Sequence, residues 1–339
     1  MLWRTGGISL RFVKGLGGLA LVLLLLCRPR EAALGAARAL SHWYASVVPA
    51  LLPFLVLMPL LTCSEAIQTY KRLLGRAVER VFGLPGSAAP AMVVGMLAGM
   101  PAGAIAARSV AARSGMDRGE LRRLVYMSSG FSPAFLVAGI GTGMLGDVAT
   151  GWRLLAAQLM TQLTLGLLLR NAWRDRLEPI REAGIGGSDR PPVLAVLTVG
   201  GYMALFGALA SVSGSLAGET VARASLCLLD VPSGAKLVAG LPWDTTAKAV
   251  LLAGMCGFGG LCVAAQGLSV LRDCGFKTAE YLGVRALAAL LGASYMALLA
   301  RLPGVGGAWL ERGDLLLLAA LIASILALPV VFGLKKSIS

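Results

Sequence analysis

The stretch that decides the fold is "SSGFSPAFLVAGIGTGM", residues Ser128–Met144. It carries no charge and is apolar enough to enter a bilayer, yet serines, one proline and four glycines interrupt it. Proline removes a backbone donor and clashes with the preceding turn, so the chain here cannot stay a regular helix. Inside lipid, freed backbone groups find no water, and irregular backbone is tolerated only where it is buried in protein or lines a wet cavity. The stretch therefore predicts an interrupted membrane segment beside a polar cavity, not an ordinary spanning helix.

The rest of the chain supplies the membrane setting. Of 339 residues, 57% are hydrophobic and only 14% charged, with a mean hydropathy of +0.78. A soluble domain carries about a quarter charged residues. Uncharged runs cover Ala39–Ser64, Val81–Ala107, Leu124–Gly146, Leu154–Leu169, Pro191–Gly218, Ala249–Leu271, Ala286–Ala300 and Leu315–Leu334. Most approach the ~20 residues that a spanning helix needs. With the N-terminal run, about eight to ten membrane segments are expected, some of them re-entrant. The fold class read from this is an all-α polytopic membrane protein.

The net charge of +14 raises the question of a nucleic-acid partner. The distribution answers no. Lys71, Arg72, Arg76 and Arg80 form one small cluster, Arg108, Arg113, Arg118, Arg122 and Arg123 a second, and Arg170, Arg174, Arg176, Arg181 and Arg190 a third. Clusters between apolar runs are membrane-surface loops that meet anionic lipid. Because nearly every loop is basic, the positive-inside rule does not orient the chain. The six cysteines lie in or beside apolar runs and form no CxxC pair, so they read as small hydrophobes; no metal or cofactor is expected.

Along the chain, residues 1–38 form a first transmembrane helix (Ile8–Cys27) and a basic connector. No small-x-small cleavage site follows the apolar run, so the helix is expected to be retained. Three prolines, Pro49, Pro53 and Pro59, are expected to kink or break the next run. Ser64–Arg80 is expected to be a basic helix at the interface. Residues 39–170 make a first half, 171–190 a charged linker, 191–334 a second half and 335–339 a basic tail.

The halves resemble each other. "GMPAGAIAA" holds Pro101 to Ala104 and "DVPSGAKLV" holds Pro232 to Ala235, both reading P-[AS]-G-A. "SSGFSPAFLVAG" follows in the first half and "GMCGFGGLCVAAQG" in the second, each with Gly-Phe before small residues. Two matches in the same order predict an internal repeat. Gly/Pro-interrupted segments at corresponding positions are the pattern of secondary transporters. A broken helix leaves N–H groups at one end with about half a positive charge, which holds an anion without a buried cation.

These residues carry a family resemblance. "LPGSAAPAMVVGMLAGMPAGA" and "MSSGFSPAFLVAGIGTGM", then "LLDVPSGAKLV" and "AGMCGFGGLCVAAQGLSVLRDCGFKTAEYLGVRALAALL", resemble the sporulation integral membrane proteins of the nucleoside-recognition, or Gate, domain family (the YlbJ type). The resemblance runs from Trp43 to Ala300. It implies a place in endospore formation and transport of dipicolinate, a small aromatic dicarboxylate, across the outer forespore membrane of a bacterium. It also implies two inverted repeats with re-entrant hairpins and broken helices, similar to concentrative nucleoside transporters. Two departures stand out. A Lys often follows the first P-x-G-A in that family, and here Ile105 does, whereas the second repeat has Lys236. The acidic residue before the second motif is the short Asp230.

The candidate substrate-binding residues are Pro101, Gly103, Ser128, Ser129, Ser132, Pro133, Pro232, Ser233, Gly234, Lys236 and Gln266. Pro101–Gly103, Ser132–Pro133 and Pro232–Gly234 would supply broken-helix ends, and the serines hydroxyl donors. An intramembrane Lys is a functional residue by default, but Lys236 could equally snorkel or pair with Asp230. Gln266 serves substrate or helix packing, and Gln158 and Gln162, on one helix face, read rather as packing groups. Catalysis is not expected. "GFSP" offers a serine but the only histidine is His42, and no HExxH, Walker A or dinucleotide motif occurs. Two readings remain: a carrier for a small anion, with membrane lipid around it, or a non-transporting scaffold or receptor that docks other sporulation membrane proteins or a second copy of itself.

Overall fold

The computed structural model describes residues 10–173, 180 and 192–301. The expected run Leu315–Leu334, the basic tail and most of the charged linker lie outside them. The described residues are helical throughout, with no strand among them.

The first helix, α1 (Leu10–Cys27), leads into α2 (Pro29–His42) and α3 (Val48–Leu61). The three prolines do not break this coil. Between α2 and α3 the chain widens into a π turn, Trp43–Val47, ahead of Pro49. A π turn is one of the recognised ways a helix absorbs a missing hydrogen bond. Helix α4 (Ser64–Phe82) is amphipathic and ends on Gly83, whose φ of 62° suits the left-handed cap that only glycine adopts cheaply. It meets the following apolar helix at 112°.

That following helix, α5 (Ala89–Ala98), is ten residues long, and α6 (Ala102–Ser114) has thirteen. At 1.5 Å per residue they reach about 15 and 20 Å, short of the ~30 Å hydrocarbon core. They pack on each other as a hairpin with Gly99–Pro101 at its tip. Next, α7 (Arg118–Met127) stops at Ser128, and a π helix (Ala134–Met144) restarts after Pro133. One predicted spanning segment is thus two half-helices. Helix α8 (Val148–Leu168) then runs 21 residues. Asp147 caps it, accepting from Ala149 N–H and the Thr150 hydroxyl, and the Thr150 bond holds its carboxyl below the usual carboxylate range.

The second half repeats that order of element types. A long helix, α9 (Pro192–Ala217), precedes two short ones, α10 (Glu219–Leu229) and α11 (Val231–Ala239), joined at Asp230. Gly234 sits against Leu226 and Cys227, so α10 and α11 fold back on each other. Helix α12 (Thr245–Phe258) stops at Gly259 and α13 (Gly260–Val270) restarts, with φ of 87° and 73° at the two glycines. A long helix, α14 (Thr278–Arg301), follows.

Among the described residues, four helical runs are long and apolar enough to cross a membrane, with α12–α13 counted as one, and five if the bent α4–α5 pair counts as one too. The expected eight to ten segments, some of them re-entrant, take in the half-helices and hairpin arms as well as the run Leu315–Leu334, which lies outside the described residues. Two apolar clusters hold the bundle. One gathers α4 to α7 around Phe82, Leu84, Tyr126 and Met127. The other joins the π helix and α8 (Leu136, Ile140, Leu155) to α11, α12 and α14 (Val231, Leu252, Met296), so the halves share a core.

Several arginines from the basic clusters turn inward to helix ends. Arg108 donates to the Val270 carbonyl at the end of α13. Buried Arg123 donates to the carbonyls of Gly83, at 3.2 Å, and Arg170, at 2.9 Å. Cations at helix C-termini neutralise the negative end of the helix dipole. Arg122 pairs with Glu280 at 3.5 Å and lies over the Trp173 and Phe276 rings, each 5.8 Å away.

Candidate functional site

The interruptions meet around one cavity of about 710 Å³, its mouth included. Ala98, Met100 and Pro101 bring the first hairpin tip to it, Phe131, Ser132 and Phe135 the first broken helix, and Asp230 and Pro232 the second hairpin tip. Helix α13 adds Cys262, Val263 and Gln266, and His42 with Val47 and two residues of α9 closes the wall.

The local chemistry explains why these residues sit there. Proline starts a helix without wasting a donor, and both P-[AS]-G-A motifs do this. Pro101 is the N-cap of α6 and follows a cis peptide bond; Pro232 is the second residue of α11. Pro133 precedes the π helix, where Ser132 Oγ accepts from Phe135 N–H at 3.3 Å. The N-terminal ends of α6, the π helix and α11 therefore all point their residues at the cavity. Each such end carries about half a positive charge. Among the described residues lining the cavity there is no Lys or Arg. Its formal charge is Asp230, 5% exposed, which caps α11 by accepting from Ser233 N–H at 3.1 Å and the Ser233 hydroxyl at 2.5 Å. Phe131 and Phe135 stack with centroids 5.0 Å apart and form an aromatic wall. His42 Nε2 has no hydrogen-bond partner among the described residues.

Of the sequence candidates, Pro101, Ser132, Pro232 and Gln266 line this cavity together. Gln266 Nε2 donates to Cys262 Sγ at 3.2 Å. Gly103 and Gly234 do not line it; they allow close packing. A Cβ on Gly103 would stand 2.2 Å from the Ser128 carbonyl oxygen, and one on Gly234 would stand 2.7 Å from the Cys227 Cα. Ser128 and Ser129 are buried behind the first interruption, the Ser129 hydroxyl donating to the Val125 carbonyl. Ser233 serves the Asp230 cap. Lys236 is exposed on α11, away from the cavity lining.

Two residues carry more than the sequence reading gave them. Gln158, on α8, closes both backbone groups of Phe131: Phe131 N–H donates to its Oε1 at 2.8 Å and its Nε2 donates to the Phe131 carbonyl at 2.6 Å. Arg285, on α14 and 4% exposed, makes the corresponding contact in the second half. Its Nε donates to the Phe258 carbonyl at 2.9 Å. Both side chains lie 27 residues beyond the phenylalanine they serve. The Gly-Phe motifs signalled both phenylalanines, but nothing local signals their partners.

Interrupted helices, short hairpins and a cavity where their ends converge define an integral membrane protein of all-helical, broken-helix architecture. The chain is similar to the sporulation integral membrane protein YlbJ of Bacillus subtilis (strain 168), 24% identical across 83% of this chain and 80% of that protein. That bears out the YlbJ-type resemblance carried by the paired motifs. No protein-family profile matches the chain, and no solved structure does.

Proposed function

We propose that this chain is a carrier for a small aromatic dicarboxylate, dipicolinate, in the membrane of a spore-forming bacterium. The observation that carries the reading is the convergence of three half-helix N-termini and a stacked phenylalanine pair on one cavity. Carboxylates are held by N-terminal dipoles, and a pyridine ring stacks on aromatic faces. A scaffold would need the glycines and prolines only for close packing, with no cavity between the breaks. Membership of sporulation comes from the similarity to YlbJ and from the motif resemblance.

The carrier reading takes the two halves as inverted repeats. It is supported by the recurring order of long helix, hairpin, broken helix and long helix, and by the matched Gln158–Phe131 and Arg285–Phe258 contacts. Transport then moves one set of elements against the other around the cavity.

Uptake of labelled dipicolinate into proteoliposomes tests this. Wild-type protein is expected to concentrate label above empty liposomes, and Ser132→Ala combined with Gln266→Ala to reduce the rate at least tenfold. Wild-type vesicles no better than empty ones, or uptake untouched by the double substitution, overturns the assignment.

A further inference from the structure

Arg285 presents a charge problem. The side chain is 4% exposed in the middle of the helical core, and among the described residues no carboxylate pairs with it. Its partners are carbonyls. Nε donates to Phe258, Nη2 to Cys256 at 3.3 Å, and Nη1 to Ser129. Phe258 and Cys256 lie in the last turn of α12, and Ser129 lies one residue beyond the cap of α7. One guanidinium thus joins the C-terminal ends of both interrupted helices. Each end carries about half a negative charge, so two of them balance one cation.

The first half shows that the charge is not needed to close a phenylalanine carbonyl. Neutral Gln158 does that for Phe131 from the matching place on α8. What Arg285 adds is a full positive charge and a reach across to the other interruption. Gly259 makes the approach possible: a Cβ there would stand 2.8 Å from the Arg285 Nη2. Beside the guanidinium is a second, smaller cavity lined also by Gln162, whose Oε1 and Nε2 have no partner among the described residues.

Carbonyls at half-helix C-termini and unwound backbone are what ion-coupled carriers use to hold sodium. We propose that Arg285 is a tethered counter-ion that permanently occupies such a carbonyl-lined position, so that the protein binds no alkali ion there and its working cycle needs none. The part about the cycle rests on the carrier reading; the part about the site does not. Removing the side chain leaves the Ser129, Cys256 and Phe258 carbonyls with the Gln162 amide oxygen nearby, all oxygen donors suited to a small cation.

The test uses the purified full chain in detergent, followed by thermal unfolding in sodium, potassium or choline chloride of equal ionic strength. Wild type is expected to unfold at the same temperature in all three. Arg285→Ala is expected to unfold earlier, and millimolar guanidinium, far below denaturing levels, to return at least half of the lost temperature while choline returns none. A wild-type protein stabilised by sodium over choline overturns the proposal, as does a folded Arg285→Ala that neither guanidinium nor sodium stabilises. If Arg285→Ala does not fold, the wild-type comparison still decides. In proteoliposomes, dipicolinate uptake equal in sodium and choline supports the proposal, and uptake that requires sodium refutes it. Absence of any uptake overturns the carrier reading alone, and the unfolding measurements then stand for Arg285.

Discussion

Gly103→Ala tests how the hairpin is held against the interruption. Ser128 is wedged between the two hairpin arms, with Gly95 on one side and Gly103 on the other. A Cβ on Gly103 would lie 2.2 Å from the Ser128 carbonyl oxygen and 2.9 Å from the Gly95 Cα. Ordinary contact begins near 3.4 Å, so the obstacle must retreat by about 1.2 Å. It cannot do so by rotating a side chain, because the obstacle is backbone in the break between α7 and the π helix. Overpacking of this kind costs about 1–3 kcal/mol, and replacing a helical glycine by alanine returns about 0.5–1 kcal/mol. The net expectation is a loss of about 1–2 kcal/mol. Gly283, on α14, is the control: nothing lies within 4 Å of its Cβ position, so Gly283→Ala is expected to be neutral or stabilising. The assay is thermal unfolding of the three proteins in one detergent. Ser128→Ala should not rescue Gly103→Ala, since the carbonyl remains. A Gly103→Ala protein that unfolds at or above the wild-type temperature refutes the close packing of hairpin on interruption.

Gln158→Leu should destabilise more than an ordinary buried polar-to-apolar change, because it strands both the N–H and the C=O of Phe131, at about 1–3 kcal/mol for each unsatisfied group. Gln158→Glu keeps the acceptor and is expected to fall between it and wild type in the same unfolding assay; equal stability of all three would mean that other groups close the break. Ser132→Cys, in a Cys262→Ala background, should react with a water-soluble thiol reagent at a rate that dipicolinate slows at least threefold. A cysteine there that does not react, or whose reaction ignores dipicolinate, removes Ser132 from the cavity assigned to it.

What could be read from the chain and what could not divide on physical grounds. Helix interruptions announce themselves locally. Proline and glycine change the backbone at their own positions, so Pro101, Ser132–Pro133 and Pro232 marked breaks that the structure contains, and the glycines after Phe258 carry the same kind of local signal at the fourth. The prolines of α3 show the limit of that logic, since the chain runs through Pro49, Pro53 and Pro59 as one helix, with a widened turn ahead of Pro49, rather than stopping. Span counting is limited for a related reason: hydropathy sees an apolar run, not whether ten residues end in a hairpin. Arg285 was not legible at all. In "GVRALAALL" it looks like a residue at the edge of a span, and its Ser129 partner is 156 positions away. A side chain that caps another segment's terminus carries no signature until both segments are in place.

The direction of the half-helices sorts charge in a way that bears on cargo. Both interrupted helices send their C-terminal ends to Arg285, while N-terminal ends gather at the cavity. Of the three N-termini there, Asp230 already occupies that of α11. Two remain, at Pro101 of α6 and at Ser132–Pro133 before the π helix. On the carrier reading, two open ends suit a cargo with two carboxylates, and the carboxylate of Asp230 disfavours any negative charge placed elsewhere. Picolinate, which keeps the pyridine ring and loses one carboxylate, isolates this contribution. A partly buried charge at a helix end contributes up to about 2 kcal/mol, and about 1.4 kcal/mol is tenfold in affinity. Picolinate should therefore compete with labelled dipicolinate roughly tenfold more weakly than unlabelled dipicolinate does. Isophthalate, with both carboxylates on a benzene ring, should compete nearly as well as dipicolinate. If picolinate competes as well as dipicolinate while isophthalate does not, the ring nitrogen and not the second helix end selects the cargo, and the pairing of carboxylates with N-termini is wrong.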